Sequence, residues 1–69
     1  MSYQIEIDAE ARVVRVLTEE DGILENGDAM AAVRRAVKKA FGPSAEAQDE
    51  GCDYTDRSGR SIGWEWDVR

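Results

Sequence analysis

The chain has 69 residues, enough for one small domain. Fifteen acidic against nine basic side chains give a net charge of -6, and histidine is absent, which removes the commonest general base and metal ligand. A hydrophobic fraction of 42% is enough for a core and argues against wholesale disorder, and no apolar run approaches the roughly 20 residues of a membrane span.

Tyr3, Ile5 and Ile7 alternate with Gln4, Glu6 and Asp8, a period of two that predicts a half-buried strand. After the polar stretch Ala9–Arg12, the β-branched run Val13–Thr18 predicts a second strand. The two form a hairpin with a four-residue loop. Pairing Ile7 with Val14 and Ile5 with Val16 gathers four branched side chains on one face. It also sets Glu6 opposite Arg15 on the other. Val13 and Leu17 then point away from the core.

Residues 19–28 read as an acidic connection, with Asn26 or Asp28 able to cap a helix. From Asp28 to Phe41 the period becomes helical. Met30, Val33, Val37 and Phe41 share one side, with Ala29, Ala36 and Ala40 beside them. Arg34, Arg35, Lys38 and Lys39 occupy the opposite arc, and Gly42-Pro43 ends the helix.

A third strand is predicted around Asp49–Asp56, starting late near Gly51 because Glu50 would otherwise oppose Trp66 on the apolar side. A fourth runs from Arg60 to Val68. Asp56-Arg57-Ser58-Gly59 predicts a type I turn with glycine in the left-handed position. That turn pairs Tyr54 with Ile62, Cys52 with Trp64, and Asp56 with Arg60, the last as an ion pair. Trp64 and Trp66 share the apolar face. If the helix is too short for both, Trp66 is the one left exposed. The expected fold is a two-layer α+β domain over residues 1–69. Its order is ββαββ: a four-stranded, mostly antiparallel sheet with one amphipathic helix on one face.

Charge is segregated. The helix holds four basic residues and one acid, a balance of +3; the remainder holds fourteen acids and five basic residues, a balance of -9. With the helix on one side, the other face collects Gln4, Glu6, Asp8, Asp53, Thr55, Ser61, Glu65 and Asp67, interrupted by Arg15. Rows of carboxylates on a rigid sheet approximate the charge spacing of nucleic-acid phosphates and attract a cationic groove on another protein.

Enzymatic chemistry finds little support. Cys52 has no histidine partner and reads as a buried structural thiol. One thiol without imidazole cannot build a zinc site, and the acidic stretch 49–56 lacks the ligand alternation of a calcium loop. No metal, cofactor or catalytic residue is expected. A lone cysteine and an opening without a basic, apolar leader predict a reducing, cytoplasmic setting.

The composition, with the acidic alternations Glu6/Asp8 and Glu65/Asp67, resembles that of small acidic phage-encoded inhibitors of the anti-CRISPR type. Several of these act as nucleic-acid mimics. The resemblance implies a non-enzymatic inhibitor that docks on a basic, nucleic-acid-binding protein. Here the contact residues are expected to be Glu6, Asp8, Asp53, Glu65 and Asp67, with Val13 and Leu17 as an apolar centre. Two alternatives use other surfaces: a homodimer or assembly module joined through the second strand, and a nucleic-acid binder using Arg34, Arg35, Lys38 and Lys39. The net charge of -6 weighs against direct nucleic-acid binding.

Overall fold

The structure is a computed structural model and describes residues 2–48 and 50–69. It is an α+β fold in which strands β1 (Gln4–Asp8), β2 (Val13–Leu17), β3 (Cys52–Thr55) and β4 (Ser61–Asp67) form one antiparallel sheet of order β1-β2-β4-β3. Helix α1 (Gly27–Phe41) lies between the two hairpins in sequence and packs chiefly over β1 and β2. Among the described residues, no helix is long and apolar enough to cross a membrane.

The first hairpin has the expected register: Ile7 faces Val14, Glu6 faces Arg15, and Ile5 faces Val16. In its loop Arg12 adopts a left-handed φ of 54°, and Ala11 N donates to Asp8 Oδ1 at 3.0 Å. Val14 and Val16 are fully buried and form the core with Ala29, Val33 and Val37 of the helix. Asn26 is the N-cap, accepting from Ala29 N at 3.0 Å, which satisfies one of the helix's unpaired backbone donors. Ala40 is exposed rather than flanking the core.

The acidic connection is more ordered than a plain loop. A single 3-10 turn, Ile23–Glu25, drives Ile23 into the core while Leu24 stays 42% exposed. At the other end of α1, the chain turns back beside the end of β4. Ala47 bridges Val68, and Gln48 N donates to Asp67 O at 2.8 Å. Ala45 and Val68 join Trp66 in the core. This reverses the expected tryptophan exposure. Trp66 is buried, whereas Trp64, one step nearer the β3–β4 turn, is half-buried.

The turn at Asp56–Gly59 forms as expected, with Gly59 at φ 86° and its N–H donating to Asp56 O at 3.1 Å. Asp56 meets Arg60 through the backbone: Asp56 N donates to Arg60 O, and Arg60 N donates to Asp56 Oδ1. The Arg60 side chain pairs instead with Glu19 at 3.6 Å. Two residues further along, the expected register fails. Thr55 faces Ser61, but Tyr54 faces Gly63, so Ile62 is an extra residue in β4. One inserted residue reverses the faces of everything beyond it. Cys52 now faces Glu65 and Asp53 faces Trp64. Cys52 and Tyr54 therefore lie on the sheet's outer side, and Asp53 lies on the helix side. The bulge also removes the conflict of Glu50 with Trp66, because Gly51 takes the place beside the indoles. A Cβ on Gly51 would stand 2.6 Å from both Trp64 Cδ1 and Trp66 Nε1. The expected strand start at Asp49 lies outside the described residues.

Candidate protein interface

The outer sheet face is a grid of three transverse rows set by the strand registers. The first row reads Gln4, Leu17, Gly63, Tyr54; the second Glu6, Arg15, Glu65, Cys52; the third Asp8, Val13, Asp67. Glu6, Asp8, Glu65 and Asp67 thus mark the corners of a rectangle. Its backbone dimensions are about 7 Å along the strands and about 10 Å across β2. Four carboxylates against the one guanidinium of Arg15 leave this patch at -3.

Arg15 organises the centre. Its Nε donates to Glu65 Oε2 at 3.0 Å, its Nη2 stands 3.9 Å from Asp8 Oδ2, and its Cζ lies 4.8 Å from the centre of the Tyr54 ring. The Glu65 hydrogen bond raises the Arg15 pKa above its ordinary value, against the lowering effect of partial burial. The guanidinium is therefore charged throughout the accessible pH range. It clamps the diagonal pair Asp8 and Glu65, while Glu6 and Asp67 stand outside the ion pairs seen among the described residues. Val13 and Leu17 sit half-buried in the middle column, one on each side of Arg15.

Six of the seven expected interface residues share this face: Glu6, Asp8, Val13, Leu17, Glu65 and Asp67. Asp53 does not; the bulge carries it to the opposite side, where it is exposed opposite Trp64. Sequence reasoning missed Tyr54 and Cys52 on the outer face. The internal Gly63 was the available signal, since glycine inside a strand often marks a bulge. Cys52, expected in the core, is exposed. Its thiol donates to Glu65 Oε1 at 3.7 Å. Partial desolvation against the sheet and the Glu65 carboxylate push its pKa up, so it is a protonated, weakly nucleophilic thiol at neutral pH.

The basic residues of α1 lie where the helical period put them. Arg34, Arg35, Lys38 and Lys39 are all exposed on the side away from the sheet. Strand β2 is internal, flanked by β1 and β4. Self-association through it would therefore be face to face, through Val13 and Leu17, and not edge to edge. Among the described residues, no group of three or more acidic or cysteine side chains is arranged to hold a metal ion. Comparison with known proteins finds no matching family, no matching curated sequence and no matching solved structure.

Proposed function

We propose that this chain is a non-enzymatic binding protein whose outer sheet face docks on a basic, nucleic-acid-binding surface of another protein and blocks it. The carrying observation is the bare grid itself. An uncovered sheet face presents half-buried Val13, Leu17 and Tyr54 beside and between four carboxylates, and its single cation is already engaged by two of them. Such an arrangement matches the anatomy of an interface, with an apolar centre that desolvates and a charged rim that steers. A rigid pleated support holds the carboxylates without the side-chain and loop ordering that a flexible acidic tail would lose on binding.

The test is competition. Labelled duplex DNA bound to each of a set of basic DNA-binding proteins is titrated with this protein, and anisotropy reports displacement. The wild type should displace DNA at low ionic strength, with the effect fading as salt screens the rim. The double variant Glu6→Lys, Asp67→Lys changes the two corners that stand outside the ion pairs and should abolish displacement while leaving the circular dichroism spectrum unchanged. Equal displacement by both proteins would refute the reading. So would direct binding of the labelled DNA to this protein, which would move the function to Arg34, Arg35, Lys38 and Lys39.

A further inference from the structure

The sheet has a second uncovered area, on its helix side. Helix α1 reaches chiefly β1, β2 and the 3-10 turn; Trp66 of β4 is buried in the core, but Trp64 is only half-buried and Asp53 of β3 is exposed. The connection that carries the 3-10 turn runs alongside, and a cleft of about 330 Å³ separates it from the sheet. Trp64 lines it, with Glu19, Glu20, Asp21 and Glu25 from the connection and Asp53 from β3. The indole is held in place: Gly51 lies so close to the ring that a single added methyl group would collide with it. The residues lining the cleft include five carboxylates and no cation. Its nearest ion-paired guanidinium, Arg60, contacts Glu19 at 3.6 Å from a side chain that remains 69% exposed and so stays at the rim.

We propose that this cleft seats one arginine side chain of the basic partner protein. The proposal rests on the reading of the chain as an acidic docking protein and names a specific anchor within it. Three features select the occupant. The half-buried indole offers a π-face, which attracts a cation and stacks best with a planar one. The surrounding carboxylates match the forked donors of a guanidinium, which can serve several acceptors at once. The volume fits a side chain and not a helix or a nucleotide stack, and the negative lining repels phosphate. Leu24, also in the lining and 42% exposed, gives the aliphatic stem of the arginine an apolar contact. Asp53, which leaves the outer face through the bulge, becomes a cleft residue. The bulge thus supplies this second site with a carboxylate beside its aromatic residue, at the paired position of the neighbouring strand.

The experiment uses the full chain, isotopically labelled for NMR, and a blocked hexapeptide of alternating arginine and glycine. The same peptide with citrulline in place of arginine removes charge and keeps shape. Titration should shift the Trp64 indole N–H and the amides of residues 19–25 and Asp53, and the citrulline peptide should not. Asp53→Asn with Glu25→Gln should weaken binding about fivefold at low salt. Trp64→Leu should weaken it about tenfold, with the unperturbed Glu6 and Asp8 amides of β1, two strands away, certifying the fold. Should Trp64→Leu fail to fold, the carboxylate double variant decides alone. Shifts confined to the outer face around Val13, Leu17 and Glu65 would overturn the cleft and leave the docking face standing. No shift anywhere would overturn both. Equal binding of the citrulline peptide would also overturn the cleft. Movement of Trp64 on dilution without peptide would identify the occupant as a second copy and overturn the proposal.

Discussion

Replacing Gly63 by alanine tests the bulge that reshapes this molecule. A Cβ at Gly63 would stand 2.9 Å from the carbonyl carbon of Val16 and 3.1 Å from Leu17 Cα, and closer still to the Val16 carbonyl oxygen. Ordinary contacts between carbon atoms are about 3.5–4.0 Å. All three obstacles are backbone of the neighbouring strand, so no side chain can swing aside. Strand β2 must retreat by about 1 Å, or the bulge must move, and either disrupts the ladder that joins β2 to β4. Overpacking of this kind costs about 3 kcal/mol, the upper end of its usual range, because the backbone itself has to yield.

For 69 residues the whole stability is on the order of 3–10 kcal/mol. Gly63→Ala should therefore lower the melting temperature by about 12–24 °C, or leave the chain unfolded. Gly27→Ala is the matched control. Gly27 begins α1, has no positive φ, and a Cβ there meets nothing within 4 Å. Alanine reduces the freedom of the unfolded chain and suits a helix, so this variant should gain about 0.5 kcal/mol. Urea unfolding of both variants beside the wild type reads the two signs. A Gly63→Ala protein within 0.5 kcal/mol of wild type would refute the close approach, and with it the register that places Asp53 and Cys52.

Native Cys52 should alkylate to completion without denaturant, because it lies on the outer face. It should do so more slowly than a free thiol at pH 8, since its raised pKa leaves less thiolate, and Glu65→Gln should narrow the gap. A native thiol that reacts only after unfolding would restore it to the core. The carboxylate of Asp56 accepts from the Ser58 hydroxyl at 2.6 Å and from the Arg60 amide, which hold its pKa below the usual value of 3.8. A depressed folded pKa contributes stability above the unfolded value that is lost as pH falls through the folded one. Asp56→Asn should therefore flatten the loss of urea midpoint below about pH 4. An acid limb identical to wild type would show that the turn does not depend on that charge.

What the sequence makes readable follows from how local each interaction is. The β1–β2 hairpin is legible pair by pair because its strands alternate cleanly and its loop fixes the register. Helix α1 is legible from the spacing of Val33, Val37 and Phe41. The Asp56–Gly59 turn is legible from its aspartate and glycine. The course of β3 is not, because its register depends on an extra residue at Ile62. That bulge is bound up with the approach of Gly63 to Val16, a contact between strands 47 residues apart in the chain. Ile23 was hidden for a related reason. Two apolar residues within an acidic connection show no period, and only the packed helix reveals which of them is buried.

The bulge also changes how charge is distributed. With a regular hairpin, Asp53 would have added a fifth carboxylate to the outer face. Instead, that face keeps four and neutralises part of them through Arg15, while a second concentration gathers around Trp64. The two acidic areas lie on opposite sides of one sheet. A small rigid ligand can engage only one of them at a time. The two areas adjoin at β3, where the outer Tyr54 and the inner Asp53 are sequence neighbours. The basic outer side of α1 faces away from the outer sheet face, so a cationic partner docking on that face avoids the helix's own positive charge. The same segregation orients the encounter, because a cationic surface is repelled from the helix and drawn toward the sheet.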